Sequence, residues 1–390
     1  GITLAGIALM PLVLRGVMTL FRPFSKKLHH VIKIFVFRYQ RRNSSTTIIF
    51  ALSFSFVLFT STVIQTISSV TEDQLHLNYG SDLVLSTYGW WNLDRDSYED
   101  VDKIMTADHV DDLFNINGVA KVSSVVALPH QLENIYQEVF SVELSDYPSL
   151  TAQGVSLINV DEAYLGTVEA RWVDLSQGRK EEAFNALFQF EREEGYACII
   201  SEGIASDSGY QLGDKVKLGV TKGDDSKNFP FIIVGIASSL PGFSWQFGDS
   251  LVGSGNGVLV SQETYLEILD LPEPAWLDRI FIKLRSGAQG RTVRQSINER
   301  FEEEYDFYLN DLKATVESQR TMFAIIDILL TVILMSTIVI CIFGLLSSSY
   351  SMIIERKKEI GILRTLGLKG HEISRLFVIE ALLIMISSGL

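Results

Sequence analysis

Long apolar runs alternate with charged and mixed segments along this 390-residue chain. About 20 apolar residues in a helix are enough to cross the hydrocarbon core of a bilayer. The runs that reach or approach this length are Thr3–Phe21, Thr46–Ile67, Met322–Leu346 and Leu376–Leu390. The pattern therefore predicts an integral, multi-pass membrane protein.

The segment between the second and third runs changes to short periodic patterns. Short apolar runs, several of them separated by Gly, Asp and Pro turn signals, predict strands at 81–86, 119–126, 157–160, 197–201, 215–219, 229–234, 258–260 and 279–284. A period near 3.6 predicts helices at 100–116, 181–194 and 291–305. A segment of this length can bury a core of its own. We expect an α-helical transmembrane bundle with a large α+β extracytoplasmic domain inserted between two membrane spans, and a strand-rich insertion near residues 195–257.

Charge is distributed unevenly and predicts the orientation. Residues 1–70 carry 8 Lys and Arg and no Asp or Glu, residues 71–319 carry 18 and 42, and residues 320–390 carry 7 and 5. Short loops rich in Lys and Arg stay on the cytoplasmic side, so the basic loops that flank the spans lie inside. The acidic segment then lies outside. Because the basic residues flank apolar spans, no nucleic acid is expected as a partner.

The segment Ile354–Ala381 is the most informative part of the chain. Ser351–Leu366 is predicted to form a helix that leaves the membrane, with Glu355 and Lys358 close enough to pair. Gly361 inside that helix costs roughly 1 kcal/mol relative to alanine. We therefore expect another backbone or side chain to approach it closely.

The string ERKKEIGILRTLG, from Glu355 to Gly367, is followed by Glu380-Ala381-Leu382-Leu383. Together they closely resemble the signature of the FtsX-like (MacB/LolC-type) ABC transporter permease family, although Thr365 stands where the family usually has Ala. In that family this segment is a coupling helix that docks on an ATPase. The resemblance implies that the ATPase-coupling residues are Glu355, Arg356, Glu359, Ile360, Gly361, Leu363, Arg364 and Gly367.

Weaker resemblances to the same family run through the rest of the chain in the family's order. They lie at Gly80–Val84, Ile199–Ala205, Gly213–Val216 and Ile233–Ile236. Residues 1–34 resemble the last span and linker of a preceding, similar half. We therefore expect mainly the second half of a two-repeat permease.

The apolar runs, the charge pattern and the resemblance together imply a division of the chain into segments. They are 1–22, the end of a preceding span; 23–44, a cytoplasmic amphipathic linker helix; 45–70, a transmembrane helix and stalk; 71–318, the extracytoplasmic domain; 319–350, a stalk and transmembrane helix; 351–373, the coupling helix; and 374–390, a truncated transmembrane helix.

For function, the resemblance implies mechanotransmission: ATP-driven closure of a separate ATPase moves the coupling helix, and stalk helices then rock the outer domain. It implies two ATPase subunits that carry ATP and Mg, no cofactor in this chain, a second permease or permease half, and contact with membrane lipid. A lipid, lipoprotein or peptide is the expected substrate. The alternative is a non-transporting signal transmitter that regulates an extracytoplasmic enzyme or senses a ligand.

Enzymatic chemistry is not expected in this chain. It has no G-x-x-x-x-G-K-[ST] loop for ATP phosphates. The lipase-like string Gly248-Asp249-Ser250-Leu251 is followed only by His371, across the membrane, so the serine lacks a base. No metal site is predicted, because neither a His-Glu-x-x-His motif nor a Cys-His cluster occurs.

Two features of the sequence each allow two interpretations. Asp327 and Glu380 are ionisable residues in or beside spans, where a functional role is the default, but both can instead lie at the membrane interface. In the loop Leu240–Phe247, the aromatic side chains of Phe243, Trp245 and Phe247 can contact a lipid-like substrate or form part of the core.

Overall fold

The computed structural model describes residues 40–87, 103–127, 140–144, 155–189, 195–222, 225–248, 255–271, 274–355, 357–365, 367–374 and 378–379. The chain divides into two compact units. Val70–Gln319 form the first, which we call the sheet unit; Gly1–Ser69 and Arg320–Leu390 form the second, the helical unit. Predictions that fall on other residues, including the first apolar run and most of the last, lie outside the described residues.

Strands and helices are numbered in chain order. The described strands are β1 Leu83–Ser86, β2 Val119–Val126, β3 Phe140–Leu144, β4 Ser156–Val160, β5 Asp174–Gln177, β6 Tyr196–Ser201, β7 Lys215–Lys222, β8 Asp225–Ser239, β9 Gly257–Ser261, β10 Leu277–Leu284 and β11 Tyr308–Asp311. The described helices are α1 Gln40–Tyr79, α2 Val110–Phe114, α3 Tyr164–Thr167, α4 Lys180–Gln189, α5 Glu202–Ser208, α6 Ser244–Phe247, α7 Gln262–Leu269, α8 Gly290–Phe301, α9 Leu312–Glu355 and α10 Lys357–Thr365. Short 3-10 helices lie at Ala107–His109 and Ala170–Trp172.

The helical unit contains the apolar parts of α1 and α9. Helix α1 includes the run Thr46–Ile67, and α9 includes the run Met322–Leu346. Among the described residues, one helical stretch, Leu312–Gly344, is long and apolar enough to cross a membrane. From Met322 onward, the large apolar side chains of this stretch are mostly exposed, as Phe343 is at 67%. Apolar side chains exposed on all faces are typical of a helix that lies in lipid.

The sheet unit is α+β and contains two sheets. One has four antiparallel strands in the order β11-β1-β10-β2, and the other is mixed, in the order β3-β7-β8-β6-β9-β4 with β5 beside the end of β8. All eight predicted strands occur, with ends shifted by a few residues, and so do the predicted helices at α4 and α8. Strands β3, β5 and β11 were not predicted.

Strand pairing corrects one expectation. Over its described part, residues 103–116, the predicted helix at 100–116 is interrupted at Thr106, which forms a β-bridge with Trp276, and continuous helical structure runs from Ala107 to Phe114. At Thr106, long-range pairing overrides the local pattern. The range 195–257, expected to be rich in strands, contains β6, β7 and β8, which pair with one another and with β3, β5 and β9.

Side chains on the two faces of each sheet alternate between two cores. In β10, Ile280 and Ile282 enter one core and Phe281 enters the other. In β6, Cys198 and Ile200 likewise belong to the first core, whereas the intervening Ile199 belongs to the second. Since successive strand residues point to opposite faces, both cores extend across both sheets. Burial raises the pKa of the Cys198 thiol, so this cysteine stays protonated and unreactive.

Side chains from β4 and the loop after it join the edges of the two sheets. The Asn159 amide accepts a hydrogen bond from the Val126 N–H (2.9 Å) and donates one to the Val126 carbonyl (3.0 Å). Two residues further on, the Asp161 carboxylate accepts from the Ser124 N–H at 2.7 Å and from the Ser123 hydroxyl at 2.6 Å. Burial raises the pKa of Asp161 and these hydrogen bonds oppose the rise. The free edge of β2 is thus paired by side chains in place of another strand.

We expect Asn159→Leu to destabilise the sheet unit while keeping the side-chain volume similar. The Val126 N–H and carbonyl would remain buried without partners, which costs roughly 1–3 kcal/mol for each group. The measurement is denaturant unfolding of the solubilised full chain, with hydrogen exchange of the β2 amides. Gln295→Leu, on the exposed face of α8, is the control and should unfold like the wild type; equal stability of the two variants would contradict this role of Asn159.

Candidate functional site

Both long helices join the sheet unit at neighbouring strands. Helix α1 ends at Tyr79 just before β1, and α9 begins at Leu312 directly after β11. Strands β1 and β11 are antiparallel partners, with Leu83 opposite Asp311. The end of α1 and the start of α9 therefore lie side by side. We call this place the stalk junction and define it as residues 76–83 and 311–316.

Two aspartates hold the strands and the start of α9 together. The Asp82 carbonyl accepts from the Leu312 N–H at 3.0 Å, and the Asp82 carboxylate accepts from the Leu284 N–H in β10 at 2.8 Å. The Asp311 carboxylate accepts from the Ala314 N–H at 3.0 Å and so caps α9. A carboxylate at this position pairs an otherwise free N–H and interacts favourably with the helix dipole.

Gly80 ends α1 in a conformation that a side chain would not tolerate. Its φ is +73°, and a Cβ atom would lie 2.9 Å from the Gly242 nitrogen. The same loop is tied to the helix end, because the Gly242 N–H donates to the Leu77 carbonyl at 2.6 Å. The glycine thus allows the loop Leu240–Phe247 to pack directly on the end of α1.

Glu169 connects the last turn of α1 to the rest of the sheet unit. Its carboxylate lies 3.0 Å from His76 Nδ1, 2.9 Å from a guanidinium nitrogen of Arg171 and 3.2 Å from Trp172 Nε1. Its backbone N–H donates to the Gly80 carbonyl at 2.9 Å. The His76 and Trp172 rings stack with centroids 6.0 Å apart. We call His76, Glu169, Arg171 and Trp172 the Glu169 cluster; it fixes the end of α1 by several contacts at once.

The aromatic side chains of the loop Leu240–Phe247 fit different interpretations. Phe243 and Phe247 are buried in the second core, whereas Trp245 is 73% exposed. Tyr164 is fully buried among these rings and donates its hydroxyl to the Pro241 carbonyl at 2.7 Å. Burial raises the pKa of Tyr164, so the hydroxyl stays protonated as a donor. Of the three aromatic side chains only Trp245 is available to a partner.

The proposed ATPase-coupling residues lie at the end of α9 and along α10. Glu355 ends α9; Glu359, Ile360, Gly361, Leu363 and Arg364 lie in α10, and Gly367 follows it with φ +96°. Arg356 lies outside the described residues. Among the described residues, nothing lies within 4 Å of a Cβ atom placed at Gly361, so the expected close approach to it stays a prediction. Ile362 beside it is 61% exposed, so this face of α10 is open.

The remaining predicted residues are not brought together. Asp327 is exposed on α9 within the stretch that can span a membrane, and Glu380 lies outside the described residues. Over the described ranges, no group of three or more metal-binding side chains is found. The Glu169 cluster was missed because His76 and Glu169 are 93 residues apart and neither belongs to a motif.

We expect Gly80→Ala to destabilise the stalk junction by more than its backbone strain alone. A left-handed conformation costs an L-residue roughly 1–2 kcal/mol, and the overlap with the Gly242 backbone adds to that. Gly209→Ala is a matched control, because Gly209 has φ +78° and open space around its Cβ position. Unfolding of the full-length protein should show a larger loss of stability for Gly80→Ala than for Gly209→Ala. Equal losses of stability would show that the close packing at Gly80 is unimportant.

We expect His76 and Glu169 to be energetically coupled in a double-mutant cycle of alanine substitutions. Partly buried, hydrogen-bonded pairs contribute more than exposed ones, which are worth about 0–1 kcal/mol. The exposed pair Arg179–Glu182, at 3.1 Å, is the control and should show a smaller coupling. The free energies of unfolding of all variants, measured with a chemical denaturant, give the coupling energies of both cycles. A coupling energy at His76–Glu169 no larger than that of the control would contradict a role in fixing α1.

Known proteins show which family has this combination of sheet unit and C-terminal helices. The family model of the MacB-like periplasmic core domain matches residues 45–300, and that of the FtsX-like permease C-terminal region matches residues 331–390. The macrolide export ATP-binding/permease protein MacB of Salmonella paratyphi A is 22% identical over 166 residues, which are 42% of this chain and 24% of that protein. A probable export ATP-binding/permease protein of Pseudomonas fluorescens is 23% identical over 117 residues, 29% of this chain and 18% of that protein.

Solved structures of periplasmic and extracellular domains are also similar. The periplasmic region of MacB from Actinobacillus actinomycetemcomitans aligns with a TM-score of 0.39 at 13% identity, covering 62% of this chain and 94% of that one. The extracellular domain of the transporter YknZ from Gram-positive bacteria aligns with a TM-score of 0.35 at 13% identity, covering 58% and 98%. Since the first family model covers more than half of the sequence, this chain belongs to the MacB/FtsX family of ABC transporter permeases.

Proposed function

We propose that this chain is a multi-pass permease subunit that couples ATP hydrolysis on a separate ATPase chain to motion of its sheet unit outside the membrane. The observation that carries this proposal is the stalk junction. Two long helices with apolar runs end on adjacent, hydrogen-bonded strands of a single sheet. A movement of either helix therefore reaches the sheet through the backbone itself.

The junction is suited to move the sheet unit as a body. Helix α1 extends twelve residues beyond Ile67 to Tyr79, about 18 Å at 1.5 Å per residue. If α1 and α9 slid past each other, the β1–β11 pairs would break at a cost of roughly 1 kcal/mol for each hydrogen bond. Rotation of the whole sheet unit avoids that loss. The Glu169 cluster further opposes bending at the end of α1.

In our proposal, α10 is the cytoplasmic part of the chain that contacts the ATPase. Its open face offers Ile362 for apolar contact and the Arg364 side chain for an ion pair, and the space at Gly361 admits a partner's backbone. Two ATPase subunits would carry ATP and Mg, and a second permease or permease half would complete the transmembrane bundle. Membrane lipid would surround the apolar parts of α1 and α9.

For the substrate we propose a lipid, lipoprotein or peptide handled outside the membrane. Two observations support this choice. The MacB relatives are named for macrolide export together with an ATP-binding part, so an amphipathic or apolar cargo suits the family. The exposed Trp245 lies in a loop packed on the end of α1, where its contacts would respond to movement of that helix.

The proposal is tested by purification of the detergent-solubilised full-length protein with its partners. Wild type is expected to co-purify with an ATPase, and the variant Glu359→Lys with Arg364→Glu is expected to lose it, because both charge reversals oppose a complementary surface. Charge reversal of the exposed pair Arg179 and Glu182 in the sheet unit is the control and should retain the ATPase. Failure of the wild type to capture an ATPase under gentle conditions would overturn the proposal.

A further inference from the structure

A groove in the sheet unit lies beside the stalk junction and shares Asp311, Ala314 and Thr315 with it. It has a volume of about 570 Å³, within the range of small ligand sites. Helix α8 forms one wall, the first two turns of α9 form the other, and β11 forms the floor. Its lining residues include Arg294 and Asn298 from α8, Glu302 directly after α8, Leu309 from β11, and Ser318 and Gln319 from α9.

The floor of the groove is an edge strand. Strand β11 is the outermost strand of its sheet and pairs only with β1 in the described structure. The Leu312 N–H bonds to the Asp82 carbonyl, and hydrogen-bonded pairs alternate along antiparallel strands. Tyr308 and Asn310 therefore direct their main-chain groups toward β1, and Leu309 directs its N–H and carbonyl to the open side. Such an edge can accept an additional strand.

Two walls of the groove carry amide oxygens that lack a donor. In the described part of the chain, Asn298 Oδ1 and Gln319 Oε1 are buried and accept no hydrogen bond. A buried acceptor left unpaired costs roughly 1–3 kcal/mol, and such atoms are rare in folded proteins. Two of them around one groove indicate a ligand that supplies N–H donors.

The charges around the groove disfavour a simple ion. Arg294 contributes one positive charge and Glu302 one negative charge, while the Asp311 carboxylate is engaged in capping α9. A neutral group that pairs with the open edge of β11 and still offers N–H donors on its other side matches this lining. The backbone of an extended peptide has this property, because alternate N–H groups point to its opposite edges.

We propose that the groove binds a short extended peptide, which pairs with β11 at Leu309 along one edge and donates N–H groups of its other edge to Asn298 Oδ1 and Gln319 Oε1. Strand β11 has four residues, which span about 13 Å, so a peptide of four to six residues fills the groove. The bound peptide contacts α8, β11 and α9 together and so fixes the direction in which α9 leaves the sheet. This inference does not depend on transport by the protein.

The test uses the full-length protein in detergent and a fluorescein-labelled, capped neutral hexapeptide of alternating Ser and Val. Fluorescence polarisation measures its affinity, and hydrogen exchange of the Leu309 amide reports pairing with β11. Recognition through the main chain needs no particular side chain, so binding at millimolar or lower concentration is expected. The same peptide N-methylated at alternate residues lacks the N–H donors of one edge and should bind at least tenfold more weakly.

Asn298→Leu and Gln319→Leu should each weaken peptide binding by about tenfold, the equivalent of one hydrogen bond. Neither should reduce the stability of the unliganded protein, because each removes an unpaired buried acceptor. Gln295→Leu, which alters α8 outside the groove and removes a bond to Glu299, should leave peptide binding unchanged. The proposal is overturned if no peptide binds, if the N-methylated peptide binds equally, or if the Leu309 amide gains no protection. Loss of ATPase capture would not affect any of these outcomes.

Discussion

The pairing of β1 with β11 is the constraint on which the rest of the sheet unit depends. It brings together two parts of the chain about 225 residues apart, Leu83–Ser86 and Tyr308–Asp311. Because each strand continues into a long helix, the pairing also fixes where both helices attach. Asp82 strengthens this arrangement from both sides, since its carbonyl bonds to α9 and its carboxylate bonds to β10. Closing a loop of this length costs entropy that grows only slowly with length, and the two shared cores supply the compensating burial.

The positions of most strands could be predicted from the sequence, but the arrangement of strands into sheets could not. The predicted strands at β2, β6 and β10 are short, strongly apolar runs, as expected for strands buried on both faces. Strands β5 and β11 are short and partly exposed, so their sequences carry little signal. The contact of Asn159 with Val126 joins the sheets through one amide, and no local pattern distinguishes that asparagine from one in a turn.

The candidate site shows the same division between local and long-range information. The proposed coupling residues could be named from the sequence because they lie within one continuous motif, and five of them lie in helix α10. The structure leaves open space around Gly361, so the described part of the chain does not make the close approach that the sequence predicts there. Low helix propensity at that position is therefore not offset by a contact among the described residues. In our proposal, a docked ATPase provides the compensating contact.

The stalk junction and the peptide groove share Asp311, which caps α9 and also lines the groove. The cap holds the first turn of α9 in place, so the two walls of the groove keep their spacing only while the junction is intact. A rotation of α9 would move Gln319 relative to Asn298, because α8 is packed in the first core through Val293, Ile297 and Phe301. A peptide that requires both oxygens at fixed positions would bind one position of α9 better than another. By linkage, the peptide and the movement of α9 would then influence each other by equal free energies.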